Sequence, residues 1–230
     1  MVEPEDDAIT VIPLRGMRGM IADKMRKSLS EAAQITHHAE CDVSALIARK
    51  AALAETGVKV SIEDLFIEAA VRTLEHHPEV NGTVADKEVR LSKPIHISVA
   101  TALPGNLLVA PAIFDAQDKS LEALREARRD LASRAKINKL TVTEMTGGTF
   151  TISNLGLSRV FLFTPILNVP QIAILGVGCV RERAVRTPDG GVAFRPVAGL
   201  SLTFDHRALD GAPAARFLTD LCDRIEGAAA

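Results

Sequence analysis

Residues 200–211 read LSLTFDHRALDG and carry the pattern that decides the fold class. The first five residues are β-rich, and Asp205-His206 follows them directly. A histidine between a strand and a helix lies on a loop held by rigid elements, where catalytic groups concentrate. We expect Gly211 to permit the sharp turn between the two elements. Beyond it, one face of the predicted helix is apolar at every fourth residue: Phe217, Leu221 and Ile225.

A second motif, residues 147–156, reads GGTFTISNLG. Thr149, Thr151 and Ser153 alternate with apolar residues, so one face of the predicted strand presents three hydroxyls. From the pattern alone, the residues favour an amphipathic strand whose hydroxyl face is solvated. A lone histidine loop such as 205–211 is likewise more often structural than catalytic, so the two motifs gain weight only together.

The remaining periodicities predict alternating helices and strands. Ser61 can cap one helix with Asp64 in its first turn, and Pro78 ends that helix. Asp42 is a plausible N-cap for another, and residues 188–191 predict a hairpin turn. Helices are expected at 19–34, 42–55, 61–77 and 120–136, and strands at 96–103, 107–113, 149–154, 171–180 and 199–204. These elements predict an α/β fold with helices packed on a mixed sheet.

The composition argues against two classes of partner. Net charge is −2, aromatic residues make up 3% of the chain, and it has neither Trp nor Tyr, so a basic, stacking surface for nucleic acid is not expected. Residues 160–180 are uncharged, but Pro165 and Pro170 interrupt them, and such breaks would leave polar groups unsatisfied in lipid. We interpret this run as a buried loop followed by a buried strand, which a neighbouring subunit can also cover. A membrane partner is not expected.

The cysteines and histidines do not suggest a metal site. Cys41, Cys179 and Cys222 lack the spacing of metal ligands, and we expect them to be buried, reduced thiols in an intracellular protein. The histidine pairs 37–38 and 76–77 are adjacent in sequence, so the members of each pair do not share a face of a strand or helix. No metal is therefore expected.

Together, these motifs resemble a known family. The chain is similar to the catalytic domain of the dihydrolipoyl acyltransferase component of 2-oxo-acid dehydrogenase complexes over about residues 12–226. The family's His-x-x-x-Asp-Gly motif corresponds to residues 206–211, preceded by Asp205, and its GGTFTISNLG segment to residues 147–156. One departure is that residues 35–38 lack the proline expected there. Smaller matches lie at Met17-Arg18 and at residues 77–81, 105–111 and 164–171.

The resemblance implies a reaction and a set of residues. Members transfer an acyl group between the thiols of dihydrolipoamide and coenzyme A, which is a substrate here. His206 would act as the general base, and the Ser153 hydroxyl would stabilise the oxyanion. Asp210 would hold the site in shape, with Arg18 as a candidate ion-pair partner. The resemblance implies no residues for coenzyme A, and the acyl group stays open.

The resemblance also implies an architecture and partners. The fold would be a two-layer α/β sandwich, the CoA-dependent acyltransferase fold, in which helices cover a mixed sheet. Residues 1–12 would be the end of a linker, and residues 13–230 the acyltransferase catalytic domain. The family forms homotrimers with the site between subunits, and the trimers assemble into cubic or icosahedral cores. A lipoyl group would come from another domain or chain, in the cytoplasm or, in a eukaryote, the mitochondrial matrix.

Two alternatives remain open at this point. A chloramphenicol-acetyltransferase-like enzyme shares the histidine motif but acts on a hydroxyl, and it usually has a second histidine where Asp205 stands. A non-catalytic assembly core would keep the fold without the chemistry, although the presence of both His206 and Ser153 argues against it.

Overall fold

The computed structural model describes residues 9–85, 87–105 and 107–227. Its centre is a six-stranded sheet with the strand order β1-β10-β9-β8-β4-β7. Strand β8 runs parallel to both of its neighbours, whereas the other pairs are antiparallel, so the sheet is mixed as predicted. The strands are β1 (Gln34–Asp42), β4 (Ile97–Val99), β7 (Ala112–Ile113), β8 (Phe150–Asn154), β9 (Ala173–Arg186) and β10 (Val192–Asp205).

Two short hairpins flank the main sheet. They pair β2 (Gly82–Ala85) with β3 (Glu88–Leu91), and β5 (Thr101–Leu103) with β6 (Leu107–Val109). Gly105, between β5 and β6, has a φ of +77° and supports the turn expected from the sequence.

The helices are α1 (Gly16–Glu31), α2 (Ser44–Glu55), α3 (Ile62–Leu74), α4 (Leu121–Lys136), α5 (Val142–Thr146) and α6 (Gly211–Glu226). The side chains of Ser61 and Asp64 form a reciprocal capping box at the start of α3, which confirms the predicted cap. Asp42 does not cap α2 from the N-cap position, which Val43 occupies, but its carboxylate accepts the Ser44 N–H at 2.8 Å.

One face of the sheet holds the apolar core. Phe150 on β8 packs against Phe217 on α6 with ring centroids 5.9 Å apart, and both side chains are fully buried. Leu221 and Ile225 follow on the same buried face of α6, as the four-residue spacing predicts. Burial of these side chains, not helix propensity, therefore fixes α6 against the sheet.

The opposite face is covered by the irregular segment 157–171. A Cβ on Gly176 would lie 2.8 Å from the Phe163 ring, so this segment packs directly on β9 where a side chain is missing. Leu167 and Ile172 are fully buried and the first half of β9 is buried, which confirms the buried strand, but the loop before it is only partly buried, since Val160 and Leu162 are exposed. Among the described residues, no helix is long and apolar enough to cross a membrane.

The structure corrects several predicted boundaries. The helix predicted at 19–34 begins at Gly16 and ends at Glu31, and the nine residues from Gln34 to Asp42 form β1, an edge strand that the sequence did not reveal. Its burial does not alternate cleanly between buried and exposed side chains, so the period of two that predicts a strand is weak there. Strands β9 and β10 also extend beyond the predictions through residues with many charges, and Gly190 turns between them.

Candidate active site

His206 stands immediately after the last residue of β10. Its backbone N–H donates to the Ala33 carbonyl at 2.8 Å, while Ala208 and Leu209 both donate to the Asp205 carbonyl. Leu209 is buried and anchors the turn. The imidazole itself remains 45% exposed, so a rigid loop presents an accessible ring.

The carboxylate of Asp210 lies beside this ring. Its Oδ1 is 3.7 Å from Nδ1 of His206, which is too long for a hydrogen bond but close enough to favour a proton on Nδ1. Nε2 would then be the basic nitrogen. Asp210 occupies the N-cap position of α6 without capping it, and its side chain is 85% exposed.

Arg18 donates to the Gly105 carbonyl at 3.1 Å, and the Asp210 carboxylate lies beside His206, so the pairing of Arg18 with Asp210 stays a prediction. The expectation for the turn at Gly211 is not met. Gly211 does not have a positive φ, so the turn does not depend on glycine's extra backbone freedom. A Cβ at Gly211 would meet the His37 ring at 3.6 Å, an ordinary contact distance.

Asp205 and Arg207 brace the loop from either side of His206. The buried Asp205 carboxylate accepts from Nε and Nη2 of Arg207, at 3.0 and 2.6 Å, and from the backbone N–H groups of Ala33 and Arg207. Burial would raise the pKa of Asp205, but the Arg207 hydrogen bonds outweigh it and hold that pKa below its ordinary value. Sequence reasoning assigned Arg207 no role, although an Asp-His-Arg triplet at a strand end was a usable signal.

Ser153 lies near the end of β8. It pairs with Gly176 on β9, which in turn pairs with Ser201 on β10. Its side chain is half-buried, and its hydroxyl makes no hydrogen bond to any residue that the structure describes. The hydroxyl is therefore available to a substrate.

The residue after Ser153 is firmly held. Asn154 donates to Glu63 Oε1 at 3.2 Å and accepts the Gly156 N–H at 2.7 Å. Glu63 is paired in turn with Arg128 at 2.8 Å, so helices α3 and α4 fix the end of β8. Sequence reasoning did not find this support, because its members are distant along the chain.

The hydroxyl face of β8 is not solvated, which corrects the prediction from the pattern alone. Thr149 and Thr151 are buried. The Thr151 hydroxyl is 2.5 Å from Gln171 Oε1 and accepts from Asn168 Nδ2 at 3.2 Å. Asn168 thus braces its loop, and of these three hydroxyls only that of Ser153 remains without a hydrogen bond among the described residues.

The strand register separates Ser153 from His206. Ser201 is aligned with Ser153 across two strands, and His206 lies five residues further along β10. At about 3.3 Å per residue and about 4.8 Å per strand, the two residues are ~17 Å apart along the strands and ~10 Å apart across them. One chain therefore does not bring the two groups to one reacting carbonyl.

A groove of about 520 Å³ opens beside the histidine loop. Asp205 and Arg207 line one wall, and Lys24, Lys27, Val169 and Pro170 line the others. Asp23 and Glu31 also line it, so the groove combines basic, acidic and apolar side chains and suits a ligand with a polar end and an apolar arm.

Comparison with known proteins agrees with this geometry. Residues 6–230 match the family model described as 2-oxoacid dehydrogenases acyltransferase (catalytic domain). The acetyltransferase component of the Corynebacterium glutamicum pyruvate dehydrogenase complex is 37% identical over 99% of this chain and 35% of that protein. A probable succinyltransferase component from Schizosaccharomyces pombe is 36% identical over 94% of this chain and 49% of that protein. The chain thus spans about a third to a half of the length of these relatives.

Solved structures show the same fold. The cubic core of the pyruvate dehydrogenase multienzyme complex superposes with a TM-score of 0.87 at 31% identity, covering 98% of this chain and 96% of that chain. Chloramphenicol acetyltransferase gives a TM-score of 0.57 at 14% identity over 95% of this chain and 98% of that chain, and so shares the fold alone. The predicted two-layer acyltransferase fold is confirmed.

Proposed function

The chain belongs to the family of 2-oxoacid dehydrogenase acyltransferase catalytic domains, and from this premise we propose that it transfers an acyl group between the thiols of dihydrolipoamide and coenzyme A. The observation that carries the proposal is an accessible His206 ring on a braced strand end, with a carboxylate beside Nδ1. That arrangement is a general base for a thiol. The relatives named above act with acetyl and succinyl groups, so the acyl group is left open.

In the proposed reaction, His206 Nε2 takes the proton of the attacking thiol. The sulfur then forms its bond to the thioester carbonyl carbon, and the carbonyl oxygen becomes an oxyanion. When the intermediate collapses, the departing sulfur takes the proton back from His206. General acid–base catalysis of this kind is typically worth ~10² to 10⁴-fold. Asp210 would keep the other ring nitrogen protonated and stabilise the imidazolium.

Ser153 would donate its free hydroxyl to the oxyanion. A donor on a firmly held strand that loses no internal hydrogen bond on reacting can stabilise the transition state more than the ground state. The Glu63–Asn154 contact supports this role, because it fixes the backbone next to Ser153. No acyl-enzyme is formed in this scheme.

The site would be completed by a second copy of the chain. His206 and Ser153 are separated by five residues along the sheet and by two strands, and apolar side chains are exposed on the segment that covers it: Leu157, Val160 and Leu162. A homotrimer, with His206 from one subunit and Ser153 from the next, would cover these residues and join the groups. Such trimers could build a larger cubic or icosahedral core.

The remaining partners follow from the reaction. The lipoyl group would be delivered by a lipoyl domain on another segment or chain. The groove beside Asp205 and Arg207 could admit the pantetheine arm of coenzyme A, with Lys24 and Lys27 near its phosphates. No metal takes part in the proposed chemistry. We propose a location in the cytoplasm or, in a eukaryote, in the mitochondrial matrix; the name of the Schizosaccharomyces pombe relative describes that protein as mitochondrial.

The test is acyl transfer to dihydrolipoamide from a panel of acyl-CoA donors, run alongside a native mass measurement. We expect transfer with at least one donor and a loss of ~10² to 10⁴-fold in His206→Ala with the oligomer unchanged. His76→Ala is the matched control, since His76 is also exposed but lies on the helix side of the fold. Transfer only to small alcohols, or undiminished turnover in His206→Ala, would refute the proposal.

A further inference from the structure

Two buried thiols meet where the edge strand packs on the last helix. Cys41 on β1 is fully buried, and Cys222 on α6 is 9% exposed. The Cys41 sulfur lies 3.7 Å from the Cys222 carbonyl oxygen, so it packs against the residue that carries the second thiol. They are 181 residues apart in sequence, so only the fold brings them together. Neither takes part in the proposed acyl transfer.

The two thiols differ in acidity. The neighbouring Cys41 thiol lowers the pKa of Cys222, an effect that the burial of Cys222 opposes. The neighbouring Cys222 thiol, together with burial, raises the pKa of Cys41. Cys222 is therefore the sulfur that becomes a thiolate first, and the thiolate is the form that attacks an oxidant.

Cys222 is also the member of the pair that small molecules can reach. It forms part of a groove of about 560 Å³ between β1 and α6, together with His37, Leu218 and Thr219. Cys179 provides the internal comparison, since it is similarly buried on β9 but has no partner thiol among the described residues.

We propose that Cys41 and Cys222 form a peroxide-sensitive site, in which Cys222 is oxidised first and Cys41 then closes an internal disulfide. The Cys222 thiolate attacks one peroxide oxygen, so an S–O bond forms, the O–O bond breaks and hydroxide leaves; the hydroxide takes up the proton that the thiol released and becomes one water. The Cys41 sulfur then attacks the resulting sulfenic sulfur, so an S–S bond forms, the S–O bond breaks and a second water leaves. Two thiols are oxidised, and one hydrogen peroxide is reduced to two waters.

The disulfide would fasten α6 to the sheet. Since it closes a loop of most of the chain, it restricts the unfolded state and should raise the melting temperature by several degrees. Cys222 lies eleven residues along α6 from Gly211, which is ~16 Å from the histidine loop at 1.5 Å per residue. The rate of acyl transfer should therefore stay within about twofold of the reduced protein.

The experiment treats the full chain with hydrogen peroxide, blocks remaining thiols with an alkylating reagent and maps the peptides by mass spectrometry. We expect one linked pair of peptides, containing Cys41 and Cys222, with a mass lower by two hydrogens and restored by a reductant. Cys222→Ser and Cys41→Ala should each abolish the linked pair, whereas the control Cys179→Ser should retain it.

Three results would overturn the proposal, and all are read on the unmutated chain, so they do not depend on a variant folding. The first is that no linked peptide appears and that Cys222 still reacts with the alkylating reagent after peroxide treatment. The second is Cys222 carrying added oxygen while Cys41 remains a free thiol. The third is a link that involves Cys179 in preference to Cys41.

Discussion

Mixing two inactive variants should restore acyl transfer, because the two proposed catalytic groups come from different chains. Alone, His206→Ala should lose ~10² to 10⁴-fold and Ser153→Ala ~10² to 10³-fold in turnover. In a ring assembled at random from equal amounts, half of the subunits keep His206 and half of their neighbours keep Ser153. About a quarter of the sites are then complete.

The activity expected of the mixture depends on whether one chain or two chains form the site, and the strand register favours two. Within one chain, Ser153 and the histidine loop are separated by five residues along the sheet and by two strands. If one chain nevertheless formed the whole site, every subunit of the mixture would lack one group, and no site would be complete. A site shared between chains thus predicts about a quarter of normal activity, whereas a site within one chain predicts less than about a hundredth of it.

The assay is acetyl transfer from acetyl-CoA to dihydrolipoamide by the co-expressed variants, with native mass spectrometry to measure how many rings are mixed. Separately assembled variants that are combined only afterwards, without subunit exchange, serve as the control and should remain inactive. If mixed rings form but show only the average of the two single variants, the shared site is wrong.

Three other outcomes are expected. Asp205→Asn weakens the charged hydrogen bonds from Arg207, so we expect a loss of about 1–3 kcal/mol in the free energy of unfolding and a lower turnover, measured by urea unfolding and by the transfer assay. Ser61→Ala removes the cap of α3 and should cost about 1 kcal/mol in the same unfolding experiment, with turnover unchanged; no loss of stability would contradict the capping box. The hydrogen bond from Arg134 lowers the pKa of Glu144 from 4.5 to about 2, so this carboxylate stabilises the fold above pH 4.5 and loses that effect as the pH falls toward 2. Glu144→Gln should therefore be destabilising at pH 6 and nearly neutral near pH 2, and an equal deficit at both values would argue against the ion pair.

The two motifs were found correctly from the sequence, but their surroundings were not. The histidine loop follows β10, and GGTFTISNLG leads into and contains β8, as predicted. The hydroxyl face of β8 looked solvated because its alternation is that of a half-exposed strand. It is buried because the segment 157–171 covers it, and nothing in the strand's own residues encodes that cover.

The sequence alone was sufficient to predict those helix features that depend on residues close together in the chain. The spacing of Phe217, Leu221 and Ile225 predicted the buried face of α6, and Ser61 with Asp64 predicted the start of α3. Such signals are readable because capping and amphipathic periodicity act between neighbours in the chain.

Only the tertiary structure decided which groups that are distant in sequence lie close together in space. The edge strand β1, the contact of Cys41 with Cys222 and the separation of Ser153 from His206 all depend on strand register and on packing between remote segments. Register is set by which faces can be buried and which backbone groups can pair once the whole sheet has formed. A sequence pattern carries the period of a strand, but not the identity of its neighbour.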